Sequence, residues 1–418
     1  MQRTLVDERR WIGQQRFLFA LSYCTLLPGP EAQQLSIYVG WLLNGTRGAL
    51  VAGILFVLPG AVALLVLSAV YVAFGDTTLV EAVFAGLAPA VVAVVVQALL
   101  RMASRGLTRP ALVAIAVAAF LALTLFAVPF PVVVAAAAVL GWLLGRLRPA
   151  PARAAPAAED GHPPPLVADG ELHTQRPSRV RTLRTLTVGL VLWAAPVLAA
   201  AALLGRSSVL VDQGLFFSGA AVVTFGGAYA VLAFVAQQAV TVYGWLAPGE
   251  MVRGLALAET TPGPLIMVVQ FVAFLGAYRD PGPLDPWVAA VLAAMLTTWV
   301  TFVPCFLFIL LGAPYVERLR GNAALSSALT GVTAAVVGVI GSLALFFALH
   351  TLFDDVVRVT VGPLHLELPR VGSLRPDALA VTLLGLGLLY LRGWSVLRTL
   401  GVCAVVGAAL HLGISGLH

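Results

Sequence analysis

The stretch Leu26-Leu-Pro-Gly-Pro-Glu-Ala-Gln-Gln34 places two prolines inside an apolar run that extends from about residue 17 to residue 43. A proline in a helix interior removes backbone hydrogen bonds. Within a bilayer, unpaired backbone is tolerated only where it packs against protein or lines a wet cavity. We therefore predict a helix that breaks at Gly29, and a new helix that begins at Pro30, a residue suited to a first helical turn.

A second stretch of this kind, Glu259-Thr-Thr-Pro-Gly-Pro264, interrupts another apolar run. Sixteen residues separate Trp11 from the first Pro-Gly-Pro, and sixteen separate Trp245 from the second. With an insertion of about eleven residues, the alignment of the two stretches extends further, because Pro59 aligns with Pro304 and Gly86 with Gly331. The sequence therefore predicts two diverged copies of one unit, an organisation that is common in transporters.

The composition places the chain in a membrane. Of its 418 residues, 60% are hydrophobic and 11% are charged, whereas soluble domains carry about 25% charged residues. Apolar runs long enough to span a bilayer recur along the chain. The formal net charge of +6 comes from basic residues in short loops, which is typical of topology signals rather than of nucleic-acid binding. We predict an all-α polytopic membrane protein.

The chain divides into four parts. Residues 1–148 are predicted to form the first transmembrane repeat, and residues 214–418 the second. Between them, residues 149–182 contain Pro163-Pro-Pro165 and scattered arginines, which indicates a disordered cytoplasmic linker. Residues 183–213 hold one extra helix, which would turn the second copy upside down relative to the first. We therefore predict inverted repeats.

The first copy is expected to lack its first helix. Position 245 pairs with position 11, so the segment 214–234 would map before residue 1. The missing element would leave a groove near Pro28 open to lipid, where unpaired polar groups cost several kcal/mol. The alternative is a chain that closes this groove by forming a homodimer.

A polar insert near residues 356–369 alternates polar and apolar side chains around Gly362-Pro363. This period of two predicts a small β-hairpin with Arg358 opposite Glu367 and Thr360 opposite His365. We expect the hairpin on the extracytoplasmic side of the membrane.

The two helix breaks are candidate anion sites, because a helix start presents free N–H groups and the positive end of the helix dipole. Paired glycines near Tyr229 form a third candidate element, with the tyrosine as a donor. Glu31 and Glu259 are candidates for proton exchange, since acids within a membrane are functional suspects. The alternative for the helix breaks is a plain turn between two helices. The alternative for the paired glycines is small-residue helix packing, and that for the two glutamates is a solvated carboxylate. The predicted substrate-binding residues are Pro28, Gly29, Pro30, Glu31, Gln33, Gln34, Gly226, Gly227, Tyr229, Thr260, Thr261, Pro262, Gly263 and Pro264.

The sequence favours no enzyme class. It contains no P-loop, no HExxH and no GxSxG motif. Its three cysteines, Cys24, Cys305 and Cys403, lie far apart without a CxxC pair, so we predict no metal site and no cofactor.

These motifs together resemble the chromate ion transporter family, in its long-chain bidomain form. The similar stretches cover nearly the whole chain except the linker: Leu27-Pro-Gly-Pro-Glu-Ala-Gln-Gln-Leu35, Gly40-Trp-Leu-Leu43, Thr46-Arg-Gly-Ala-Leu-Val-Ala-Gly53, Phe56-Val-Leu-Pro-Gly60, Thr224-Phe-Gly-Gly-Ala-Tyr-Ala-Val231, Thr260-Thr-Pro-Gly-Pro264 and Gly362-Pro-Leu-His-Leu366. The resemblance implies a multi-pass protein of the bacterial inner membrane that expels chromate, with sulfate as a structural analogue. It also implies a first helix with a Phe-Gly-Gly-Pro motif, which this chain lacks. Transport of a related oxyanion such as sulfate is the alternative, and a membrane enzyme such as a chromate reductase is a third hypothesis.

Overall fold

The computed structural model describes residues 1–25, 27–147, 178–225, 228–313 and 323–415. Within these residues, seven helices are long and apolar enough to cross a membrane, and five shorter apolar helices accompany them. The only sheet in the described part of the chain has two strands. The prediction of an all-α polytopic membrane protein is therefore confirmed.

The helices fall into two series separated by the linker region. The first series consists of a π-helical turn Arg3–Glu8, α1 Gln14–Cys24, α2 Glu31–Phe74, α3 Thr78–Gly106, α4 Pro110–Thr124 and α5 Phe130–Leu147. The second consists of α6 Arg179–Leu204, α7 Val209–Val223, α8 Ala228–Gln237 with a π-helical turn Gln238–Val242, α9 Pro248–Thr260, a 3-10 turn Leu265–Met267 with α10 Val268–Arg279, α11 Pro286–Gly312, α12 Ala323–Leu352, α13 Pro376–Tyr390 and α14 Val396–Ser415.

Helix α6 begins earlier than the sequence suggested. We predicted a disordered linker over 149–182, but residues from Arg179 onward are helical. The reason is that Val180, Leu183 and Leu186 continue the apolar pattern of the following span into this basic segment. The greater part of the predicted linker, residues 149–177, lies outside the described residues.

Helix α2 is a helical hairpin. Asn44 and Gly45 have non-helical backbone angles, and Gly45 has a positive φ of 57°. The Ser36 hydroxyl donates to the carbonyl of Ala52 at 3.2 Å. In a straight helix these residues would lie about 24 Å apart along the axis. The arms of α2, residues 31–43 and 46–74, therefore run antiparallel to each other.

Both Pro-Gly-Pro segments are tips of re-entrant hairpins. The rings of Tyr23 on α1 and Tyr38 on the first arm of α2 lie 5.7 Å apart, on opposite sides of the first break. A Cβ on Gly254 of α9 would overlap the ring of Phe271 of α10, again across the break. In each case the chain enters as one short helix and returns as another. We call residues 27–30 the first tip and residues 261–264 the second tip.

Helices α7 and α8 form a third hairpin of the same kind. The rings of Phe216 and Phe234 lie 5.3 Å apart across the break between these two helices. The last residues of this element before its break are Thr224 and Phe225. We call the segment from Thr224 to Ala228 the third tip, of which Gly226 and Gly227 lie outside the described residues.

The long helices of the two series are exchanged. Helix α3 of the first series packs against α13 and α14 of the second, while α12 of the second packs against α4 and α5 of the first. Glycines permit the closest approaches: Gly86 touches Gly407, and a Cβ on Gly141 would lie 2.7 Å from the Cα of Gly331. Whether the copies are inverted in the membrane stays a prediction.

The hydrophobic core surrounds α10, whose residues 268–277 are all buried. Helix α6, by contrast, buries only Val197 and Ala200 among its residues and presents the rest outward. An apolar helix with this little contact suits a periphery that faces lipid. The re-entrant hairpin of the second copy is therefore central in the fold, and the extra helix is peripheral.

The predicted β-hairpin is confirmed. Strands β1, Val356–Val361, and β2, Leu364–Pro369, pair antiparallel with Arg358 opposite Glu367 and Thr360 opposite His365. The backbone N–H of His365 donates to the carbonyl of Leu125 at 2.7 Å, which fastens the hairpin to the connection between α4 and α5.

Candidate functional site

Hydrogen bonds connect the three tips. The backbone N–H of Gly29 in the first tip donates to the carbonyl of Thr224 in the third tip at 2.8 Å. The Tyr229 hydroxyl, just after the third tip, donates to a carboxylate oxygen of Glu259, just before the second tip. The third tip therefore links the other two, and the bond from Gly29 to Thr224 joins residues of the two different copies.

Each Pro-Gly-Pro tip packs against a long helix of the other copy. A Cβ on Gly29 would lie 2.7 Å from the Cys305 sulfur on α11, and a Cβ on Gly60 of α2 would lie 2.7 Å from the carbonyl oxygen of Pro262. Gly60 and Cys305 directly follow the aligned prolines Pro59 and Pro304, but neither was predicted to belong to the site. The alignment of the two prolines is the signal that could have identified these contact residues.

The first tip is partly buried and leads into a helix start that offers backbone donors. The first arm of α2 begins at Glu31 with Pro30 as its N-cap, and no side chain caps this end. The N–H groups of its first turn consequently have no acceptor within the helix. Gly29 has a φ of +122°, which only glycine adopts readily. This geometry fits the predicted half-helix anion site.

Two glutamine side chains next to these N–H groups are fully buried. Gln34 donates through Nε2 to the carbonyl of Pro28 at 2.6 Å, and its Oε1 has no partner. Neither Nε2 nor Oε1 of Gln33 has a partner. A buried polar group left without a partner costs about 1–3 kcal/mol. Such groups in proteins are satisfied by a ligand, an ion or water.

Helix α11 adds two buried hydroxyls. Thr297 and Thr301 lie one turn apart and lead toward Cys305, whose thiol donates to the Thr301 carbonyl at 3.8 Å. Buried threonines in helices commonly bond the carbonyl one turn back, as Thr298 does to Ala294. The hydroxyls of Thr297 and Thr301 make no such bond. This helix was not assigned to the site from the sequence.

The second tip differs in burial and in its donors. Pro262 and Gly263 are exposed, and Gly263 has a φ of +143°. The hydroxyls of Thr260 and Thr261 donate to the carbonyls of Leu257 and Ala258 at the end of α9. These hydroxyls are therefore engaged within their own helix, while Pro264 is buried beside the break.

At the first tip, Gly29 and Pro30 are buried, and Pro28 is half-buried. The third tip packs against the first one through the bond from Gly29 to Thr224. The expected groove near Pro28 stays a prediction.

The predicted proton-exchange residues lie at different tips. Glu31 is half-buried at the start of the first arm of α2. Glu259 is half-buried at the end of α9 and bonded to Tyr229. The Tyr229 hydroxyl is thus held by a carboxylate, not free as an anion donor. Gly226 and Gly227, which were predicted to contact the substrate, lie outside the described residues.

An ion pair closes the open end of the second re-entrant hairpin. Arg279 at the end of α10 donates to both carboxylate oxygens of Glu250 in the first turn of α9, at 2.6 and 2.8 Å. Tyr71 of α2 also donates to Glu250 and accepts from Arg253. The paired charges hold α9 and α10 antiparallel at the end of the hairpin opposite the second tip.

A cavity of about 410 Å³ lies away from the tips, between the β-hairpin and the ends of α4, α8 and α12. The polar face of the hairpin lines it with Arg358, Thr360, His365 and Glu367. The tip residues do not line this cavity.

Helices that break at Pro-Gly-Pro segments within two related copies indicate the class of protein, because secondary transporters build their binding sites from such broken helices. The chain belongs to the chromate transporter family, whose model matches residues 1–142 and 211–409. The chromate transport protein of Pseudomonas aeruginosa is 32% identical over 370 residues, which cover 87% of this chain and 78% of that protein. The chromate transport protein of Cupriavidus metallidurans is 28% identical over 85% of this chain and 78% of its own length.

A transporter of uncharacterised function from Methanocaldococcus jannaschii is 22% identical over 84% of this chain and 79% of its own length. These relatives are named as transport proteins, which indicates a transporter rather than an enzyme. No solved structure matches this chain.

Proposed function

We propose that this protein exports chromate from the bacterial cytoplasm across the inner membrane and thereby confers chromate resistance. The observation that carries the proposal is the first tip, where the first-turn N–H groups of α2 lie beside Gln33 and Gln34, two fully buried side chains that keep polar atoms without a partner. A small oxyanion satisfies such a set of donors. Membership of the chromate transporter family supports chromate as that oxyanion.

The membrane potential favours export. One elementary charge is worth about 2.3 kcal/mol per 100 mV, so an inside-negative potential of this size favours the exit of the chromate dianion by about 4.6 kcal/mol and that of hydrogen chromate by about 2.3 kcal/mol. Import of the same ion opposes this term and requires coupling to protons or sodium. Outward movement consequently needs no coupling ion.

We further propose that the two copies are inverted. With α1–α2, α7–α8 and α9–α10 as re-entrant hairpins, the first copy contributes four crossings: the second arm of α2, then α3, α4 and α5. These four crossings return the chain to its starting side, where the linker lies. Helix α6 is then the single extra crossing. The second copy therefore begins at the opposite face of the membrane. The peripheral position of α6 agrees with a helix that belongs to neither copy. The same count puts the β-hairpin on the face opposite the linker, which is extracytoplasmic for a cytoplasmic linker.

The test uses two assays of the full chain. In cells, the protein should lower chromate accumulation and raise survival relative to cells that carry an empty vector. In proteoliposomes with an imposed potential, labelled chromate should move toward the positive side. Equal accumulation with verified membrane expression, together with no flux in proteoliposomes, contradicts the proposal. Faster flux of labelled sulfate than of chromate would instead support the alternative of a sulfate transporter.

A further inference from the structure

The first tip and the first turn of α2 that follows it present hydrogen-bond acceptors as well as donors. The donors are the N–H groups of the first turn of α2 and the Nε2 of Gln33. The acceptors are the Oε1 atoms of Gln33 and Gln34, both unpartnered. The orientation of the Gln34 amide is fixed, since its Nε2 donates to the carbonyl of Pro28 at 2.6 Å. Its oxygen therefore needs a donor.

A fully ionised oxyanion cannot supply that donor. Sulfate, selenate and the chromate dianion carry acceptor oxygens only, so each would leave the Gln34 oxygen buried without a partner. A protonated oxyanion satisfies both halves of the site: its charged oxygens accept from the N–H groups, and its hydroxyl donates to the amide oxygen. A site built to bond a substrate hydroxyl rejects an analogue that lacks it by large factors.

We infer that the first tip binds the protonated form of its substrate, hydrogen chromate, and that this proton is the basis of discrimination against sulfate. The inference rests on the proposed function. Hydrogen chromate loses its proton near neutral pH, whereas hydrogen sulfate keeps its proton only in strong acid. Two tetrahedral anions that match in shape and in full charge are thus distinguished at the pH of the cytoplasm.

Neighbouring elements contribute charged or titratable groups to this region. The first arm of α2 carries Glu31, α1 carries Arg16 and Cys24, and α11 carries Cys305, while Tyr229 of α8 is bonded to Glu259 of α9. Arginine stays charged, and buried thiols and phenols stay neutral around neutral pH. Glu31 is the neighbour whose own titration would imitate that of the substrate. A Glu31→Gln variant separates the two.

The experiment measures competition in proteoliposomes. Arsenate and selenate are similar in size, but at neutral pH arsenate carries a proton and selenate does not. Arsenate should compete with labelled chromate about a hundredfold or more better than selenate does. In Gln34→Met, which removes the acceptor but keeps an unbranched side chain, this preference should fall at least about tenfold.

A second measurement needs no variant of the glutamine. At low total chromate, where dichromate does not form, the apparent KM for total chromate should rise about tenfold for each pH unit above the pKa of hydrogen chromate. This rise should persist in Glu31→Gln. If the rise disappears in Glu31→Gln, the titrating group is Glu31 of the protein rather than the substrate.

The outcomes separate the two proposals. Chromate flux with a KM that does not change with pH, or with selenate and arsenate competing equally, overturns the inference and leaves chromate transport in place. Absence of chromate flux at every pH contradicts the proposed function itself. The competition of arsenate and selenate in wild type, together with the pH dependence of the KM, tests the inference even if Gln34→Met fails to fold.

Discussion

Gly86 of α3 and Gly407 of α14 lie in direct contact, so that a Cβ on Gly407 would overlap the Cα of Gly86. The equivalent pair is Gly331 of α12 with Gly141 of α5. In each pair, a long helix of one copy meets the last helix of the other. These contacts allow the helix backbones to approach as closely as small residues permit in membranes.

We predict that Gly407→Val destabilises the protein by about 1–3 kcal/mol, because overpacking forces two backbones apart. Gly401, on the same helix, has open space around its Cβ position, so Gly401→Val is the matched control. The melting temperature of the purified protein should fall by several degrees for the first variant and stay near wild type for the second. Equal melting temperatures would show that this contact does not hold α14 in place.

The first tip should not tolerate a side chain at Gly29. Its φ of +122° disfavours other residues, and a Cβ would lie 2.7 Å from the Cys305 sulfur. We expect Gly29→Leu to abolish chromate flux while the protein still inserts into the membrane. Gly282, which has a φ of +58° and open space around it, provides the control Gly282→Leu. Wild-type flux in Gly29→Leu would remove the half-helix site from the mechanism.

At the second tip, Gly263 has a φ of +143°, and a Cβ there would lie 3.2 Å from the Cα of Gly60. We expect Gly263→Leu to abolish flux as well, through displacement of the tip from α2. The measurement is flux in proteoliposomes with the amount of inserted protein matched to wild type. Loss of flux in Gly29→Leu alone would mean that only the buried tip carries the anion.

The sequence predicted the breaks and the β-hairpin because the causes of both are local. Proline removes a backbone donor wherever it lies, and alternation around Gly362-Pro363 requires no distant partner. The register of Arg358 opposite Glu367 followed from the turn alone. Features that depend on residues within a few positions of each other were thus accessible without a structure.

Whether the chain turns back at each break, and which element packs over Gly29, depend on residues outside the local sequence. Re-entry rests on contacts such as that of Gly254 with Phe271, and burial of Gly29 rests on Thr224. Cys305 was not among the predicted site residues, although it directly follows one of the aligned prolines. Because these contacts join separate helices, and in the case of Gly29 and Thr224 separate copies of the repeat, local patterns could not assign them.

The bond between Tyr229 and Glu259 should couple the two residues energetically. Hydrogen bonds to charged groups contribute about 1.5–3 kcal/mol, and residues in contact give non-additive effects. We expect Tyr229→Phe and Glu259→Gln each to reduce flux, and the double variant to lose no more than the stronger single variant. Independent, additive losses would show that the bond plays no part in transport.

If Glu259 exchanges a proton during transport, Glu259→Gln should abolish any stimulation of flux by a pH gradient while it keeps the response to membrane potential. The comparison is flux under each gradient alone in the same proteoliposomes, with Glu31→Gln measured beside it. Stimulation by the pH gradient that survives in Glu259→Gln but not in Glu31→Gln would assign the proton to the first tip instead.

The inversion of the two copies predicts the membrane face of two equivalent turns. Gly45 connects the first re-entrant hairpin to the second arm of α2, and Gly282 connects the second hairpin to α11. Both glycines have a positive φ and open space, so cysteine is tolerated similarly at each. The native cysteines are buried, which keeps the background of labelling low.

In intact spheroplasts, a membrane-impermeant maleimide should label Gly282→Cys and, on the β-hairpin, Gly362→Cys. Gly45→Cys should react only after the membrane is permeabilised, because the crossing count places its turn on the cytoplasmic face with the linker. A parallel repeat would place Gly45 and Gly282 on the same face. Labelling of both turns from one side would therefore contradict the inverted arrangement, since an even number of crossings would then separate them.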